Sequence, residues 1–173
     1  MPLSTKASHE ARYRVADPYL RFWLRFIEPD LDRLNRGRAD LVLEKIRAGF
    51  SSWRAKAIEP IVRAALLSAA LEPRLPGPAQ QIGGWWPRTN DPEISLVGAD
   101  RGPVARGIGF VGSVKWRDSA PVTQSDLAEL VAGAARIAGA DSATPTVIVS
   151  RTLVTAKGAA VILGPDELMG AWR

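Results

Sequence analysis

Hydrophobic residues along the chain switch between a helical and a strand period, and the switches divide it into elements. Leu20, Phe22, Trp23, Leu24, Phe26 and Ile27 crowd the segment from Tyr19 to Ile27 too densely for a free surface helix, so this helix must pack against something. Asp17-Pro18 opens it, because an aspartate caps free amides and proline suits the first helical position. Tyr13-Arg14-Val15 reads as a short strand before it. Leu31 to Asn35 follows as a short helix, Gly37-Arg38 breaks it, and Ala39 to Arg47 forms another that ends near Gly49. A main helix then starts at Ser51 or Ser52 and runs to about Leu71, with Ile58, Ile61, Val62, Ala65, Leu66 and Ala69 on its buried side. Pro60 removes a hydrogen bond from it, so the helix either kinks there or a new one begins.

Strands take over after the proline-rich stretch from Glu72 to Pro78. Gln80 to Trp86 forms the first, with one indole of Trp85-Trp86 in the core and the other outward, either stacking on a base or covering the core's edge. Glu93 to Val97 alternates polar with apolar and ends at the turn cluster Gly98 to Pro103, and Ile108 to Lys115 returns as its partner. Leu127, Leu130, Val131, Ala134 and Ile137 place a helix over Ser125 to Ile137, with Asp126 and Glu129 favouring its first turn. Thr146 to Ser150 is a buried strand, parallel to its neighbour after the crossover. Ala159 to Leu163 is a last strand and Pro165 to Trp172 a terminal helix. The fold class expected is α/β, a mixed sheet flanked by helices. Its domains are a polar tail without fixed structure at 1–11, a helical appendage at 12–50 and the sheet domain at 51–173.

Composition removes some chemistry. With no cysteine, neither a disulfide nor a thiolate zinc site can form, and His9, the single histidine, sits in the tail. No apolar run has the length of a signal peptide core or a membrane span, which places the protein in the cytoplasm. A P-loop would read GxxxxGK[ST], and none occurs, so ATP is not bound by that route. The net charge of +5 suits a polyanionic partner, although an arginine-, alanine- and glycine-rich composition also fits a genome of high G+C content. The excess of base lies before residue 126.

A period of two puts Glu93 and Ser95 on one face of their strand, and Ser113 and Lys115 on one face of theirs. Together with Glu59 on the upstream helix they outline a phosphodiester site, in which carboxylates hold a divalent cation and a lysine faces the developing charge. The blocks RYRVADPYLRFWLRFI from Arg12, WRAKAIEPIVRAAL from Trp53, the Trp85-Trp86 pair, PEISLVG and GSVKW resemble the carboxy-terminal region of archaeal-type AAA+ ATPases, which also occur in bacteria. The likeness runs from about Arg12 to Arg173 and implies a PD-(D/E)XK, restriction-endonuclease-like core. In longer members this region follows a winged-helix segment, so the chain is expected to be a fragment or a free-standing relative.

The resemblance assigns catalytic positions to Glu59, Glu93, Ser95, Ser113 and Lys115, but two acids of the pattern are missing. Ser95 stands where an aspartate is expected and Ser113 where the Glu or Asp of the (D/E)XK triplet belongs. Glu93 is about 7 Å along the strand from the first of these, too far for easy substitution. Glu59 is left as the metal-holding group, so no cofactor is required and magnesium binding is weak at best. Nucleic acid is expected to meet Arg54, Lys56, Arg88, Lys115 and Arg117; Arg21 and Arg25, one turn apart, are either a phosphate-contacting pair or a solvated face. Three readings stay open. The chain is a degenerate nuclease-like module that binds or positions nucleic acid, a protein-interaction module that pairs with an ATPase domain or with itself, or a residual magnesium-dependent nuclease.

Overall fold

The computed structural model describes residues 2–7, 13, 15–69, 71–77 and 79–172. It divides into two compact units, Arg12–Ile58 and a second made of Met1–Ala11 with Glu59–Arg173.

In the first unit, α1 (Pro18–Phe22) begins as expected, with the Asp17 carboxylate accepting the Leu20 N–H at 2.7 Å. A π-helical turn over Trp23–Ile27 and a 3-10 turn over Glu28–Asp30 lead into α2 (Leu31–Asn35). Tyr13 and Val15 are not in a strand: both are exposed, Tyr13 almost fully, and Arg14 lies outside the described residues. Helix α3 (Ala39–Ala57) corrects a second expectation, because it runs unbroken through Gly49 and the two serines instead of ending and restarting there. Gly49 serves packing. A Cβ at this position would lie 2.8 Å from Cε1 of the buried Phe26 ring, so the glycine lets that ring lie against the helix. Ser52, expected as a cap, instead donates back to the Gly49 carbonyl at 3.0 Å. Phe22 meets Phe26 at 5.1 Å and the Trp53 indole edge-on at 5.4 Å, which gives the densely apolar first helix its packing partner.

The second unit is a five-stranded mixed sheet in the order β1 (Gln81–Trp85), β2 (Ile94–Ala99), β3 (Ile108–Lys115), β4 (Thr146–Ser150), β5 (Val161–Leu163). The first three strands are antiparallel neighbours; β4 and β5 add in parallel. Helix α4 (Glu59–Leu66) precedes the sheet, α5 (Gln124–Ala134) makes the crossover from β3 to β4, and α6 (Pro165–Gly170) follows β5. A new helix begins at Glu59, with Pro60 in its first turn where its missing N–H costs nothing. The junction falls at Ile58/Glu59, eight residues beyond the 50/51 boundary expected, which would cut α3 in mid-length.

Val97, Ala99, Val111 and Ile148 of the sheet cluster with Leu127, Leu130 and Ala134 of α5. The alternate residues Leu96 and Phe110 are equally buried but belong outside that cluster, so the sheet is covered on both faces. Strand β2 continues through Gly98, which was expected to turn. Gly98 pairs with Phe110, and a Cβ there would fall 2.2 Å from that ring, so the glycine is the bed on which the phenylalanine lies. The tail is also ordered over its described part: Leu3 is buried, its N–H reaches the Gly84 carbonyl at 3.0 Å, and Ser4 bridges to Val104 in parallel. Residues 8–11, His9 included, lie outside the described residues.

Candidate functional site

Glu59 opens α4 and is buried, only 5% exposed. Arg63, one turn on, donates to Glu59 Oε2 at 3.3 Å and sends two further N–H groups, at 3.1 and 2.7 Å, to the Ser95 carbonyl of β2. Gly84 of β1 leaves room for this, since a Cβ there would come within 3.1 Å of the Arg63 guanidinium. A buried carboxylate and a strand carbonyl are thus bridged by one fixed positive group.

Ser95 is occupied as well. Its Oγ accepts the Val114 N–H at 2.9 Å, where the β2–β3 ladder has ended. The register shifts between Gly83 and Trp85, so that Ile94 and Val97, three apart, both join the α5-side cluster. Strict alternation, on which Glu93 and Ser95 were placed together, therefore fails here. Glu93 precedes the strand and is exposed. Ser113 stays on β3, half-buried and in register with Ile148 of β4.

Lys115 is drawn to α5. Its Nζ stands 3.0 Å from Asp126 Oδ1, and Arg117 grips both oxygens of the same carboxylate, with Nη1 at 3.0 Å from Oδ2. Asp126 also accepts the Thr123 N–H at 2.9 Å, completing a capping box at the start of α5. The Arg117 hydrogen bonds above all, then the Thr123 amide and Lys115, hold this carboxyl well below the usual range despite its burial, and Asp126 in turn raises Arg117. Glu93, Ser95, Ser113 and Lys115 were expected on one shared surface; the structure places Ser95 in a bridge with Glu59 and Arg63, Lys115 in a cluster with Arg117 and Asp126, Ser113 half-buried on β3, and Glu93 exposed ahead of β2.

Arg63 and Asp126 are the members that strand periodicity did not reveal. Arg63 was visible as the i+4 partner of Glu59, and Asp126 as the third residue after Thr123 in a capping-box pattern. Among the expected nucleic-acid contacts, Arg88 is exposed beyond β1, Arg117 is committed to Asp126, and Arg54 and Lys56 belong to α3 of the other unit. Arg25 donates to Ser52 at 3.2 Å and lies over the Phe26 ring. Trp85 is buried, Trp86 half-buried.

The groups expected nearest a magnesium ion are engaged within the protein. Glu59 already has its cation in Arg63, Ser95 Oγ has its donor, and among the described residues no group of three or more histidines, aspartates and glutamates could hold a metal ion.

The architecture is that of a mixed α/β protein, a five-stranded sheet flanked by helices with a helical segment ahead of it. The chain belongs to the family DUF234, described as archaeal and bacterial proteins of unknown function, which it matches over residues 23–128. An uncharacterised protein of Methanocaldococcus jannaschii is 29% identical over 112 residues, which is 64% of this chain and 24% of the relative, so the match spans about a quarter of that protein. No solved structure matches. No helix among the described residues is long and apolar enough to cross a membrane.

Proposed function

We propose that this chain is a nuclease-like module whose metal-binding centre has been replaced by an internal ion pair, and that it binds or positions nucleic acid without cutting it. The order of α4, three antiparallel strands, crossover helix and parallel strand is the order expected for a PD-(D/E)XK core. The observation that carries the reading is the Arg63 bridge. Arg63 places a permanent positive charge against Glu59 and the Ser95 carbonyl, where a catalytic site of this kind would need acidic ligands gathered around a cation. A second cation beside a guanidinium would be repelled. Lys115, tied to Asp126, is likewise not free to meet a developing phosphate charge. On the resemblance set out above, the module would serve an ATPase, supplied within a longer relative or by a separate chain.

The test reads binding and cleavage together. Labelled single- and double-stranded DNA is titrated with the protein at two salt concentrations, with and without magnesium or manganese. Binding that weakens with salt, without cleavage, is the result expected, because phosphate contacts release counterions. Metal-dependent cleavage lost in Glu59→Ala would overturn the loss of catalysis, and absence of binding at low salt would overturn nucleic-acid binding itself.

A further inference from the structure

The positive charge is divided unequally between the two units. Residues 12–58 hold eleven basic and six acidic residues, whereas residues 59–173 hold eleven of each and residues 1–11 one of each. The entire net charge of +5 is therefore carried by the smaller, helical unit, and the sheet unit, which holds the nuclease-like positions, is neutral.

Within the helical unit one stripe of α3 concentrates what a nucleic acid needs. Leu43, Arg47, Phe50 and Arg54 recur at i, i+4, i+7 and i+11 and so share one side of the helix. Leu43 and Phe50 are 44% and 38% exposed, and Arg47 is exposed with no ion pair among the described residues. The Arg54 guanidinium is held over the Phe50 ring at 5.8 Å, and Phe50 in turn stacks on Trp53 at 5.5 Å, so this arginine is fixed in place on an aromatic support. The other α3 cations are placed differently. Lys45 is paired with the buried Asp30, and Lys56 lies about 200° around the helix from Arg54. An apolar stripe alone would not say what covers it. Arginines at both of its polar positions, on the unit that carries all the excess charge, select a polyanion.

We infer that nucleic acid docks on the α3 stripe of the helical unit, with Arg47 and Arg54 on its phosphates, and not on the face of the sheet that carries Lys115. This rests on the nucleic-acid reading above and moves its contact surface. The full chain is compared by fluorescence anisotropy on the same labelled single- and double-stranded DNA with two variants of equal charge change. These are Arg47→Glu/Arg54→Glu on the stripe and Arg101→Glu/Arg106→Glu on the β2–β3 loop of the sheet unit. The stripe variant is expected to bind at least about tenfold more weakly, the loop variant to stay within about threefold. Arg47→Ala alone, which leaves the aromatic packing untouched, should lower the slope of log K against log salt by about one. Equal weakening in both variants, or weakening by the loop variant alone, overturns the stripe while leaving nucleic-acid binding standing. Failure of the unaltered chain to bind either DNA at low salt overturns both.

Discussion

Lys115 Nζ lies 3.0 Å from Asp126 Oδ1, which makes the lysine at the end of β3 a tie to the crossover helix. Arg117, two residues on, takes the same carboxylate with two N–H groups. The end of β3 is thereby fixed to the first turn of α5, where a negative charge also complements the helix dipole.

Because Arg117 bonds Asp126 in bidentate fashion and Lys115 at one oxygen, the two basic residues should contribute unequally. Arg117→Ala is expected to cost about 2 kcal/mol and Lys115→Ala about 1 kcal/mol, read from urea denaturation midpoints. A larger loss for Lys115→Ala would mean that the second contact dominates.

The same carboxylate gives the fold an acid-sensitive element. Its folded-state pKa is lowered below the ordinary value of 3.8, first by Arg117, so its contribution is fully present above that value and is lost as pH falls below it. Asp126→Asn should be less stable than the unaltered chain at neutral pH, and the gap should narrow as pH drops below about 4. Thermal melts of both across this range check it; a gap that stayed constant would put the stabilisation elsewhere.

Removing Arg63 leaves Glu59 buried without this counter-charge and takes two N–H donors from the Ser95 carbonyl. Arg63→Ala is expected to cost about 3 kcal/mol, more than Glu59→Gln, which keeps an acceptor for the guanidinium. Chemical denaturation compares the two. If Glu59→Gln proved the more damaging, the carboxylate's charge would matter more than the bridge to β2.

Phe110 is fully buried and cannot move aside for a side chain at Gly98. Gly98→Ala should therefore destabilise by about 2 kcal/mol, although alanine is the better residue elsewhere in a strand. Coupling it to Phe110→Leu should recover part of the loss, and additive losses would separate the two positions.

Much of the second unit was readable from local pattern. The bounds of β3 and β4 match the expected strands residue for residue, and Asp17-Pro18 opens α1 because both residues act on their own turn. Gly49 and Gly98 misled for a shared reason. As punctuation they signal an end or a turn, and here each marks the place where an aromatic ring from elsewhere in the chain presses on backbone. Of the candidate site, Glu59, Ser95 and Lys115 were singled out from the sequence, whereas Arg63 and Asp126, which hold them, were not placed there. A shift of register before Val97 and the pull of Asp126 on Lys115 depend on strand pairing and on a helix nine or more residues away.

The sequence by itself determined the bounds of β3 and β4 and the opening of α1, that the chain lacks cysteine and P-loop chemistry, and that serines stand at two positions where the resemblance leads one to expect acids. These are properties of neighbouring residues and of composition. Only the tertiary structure decided that Glu59 answers to Arg63 and Ser95, that Lys115 answers to Asp126, and that the excess charge belongs to a separate helical unit. Ion pairing and burial depend on distance in space, and the chain brings those groups together only when the sheet has closed its register and the helices have packed.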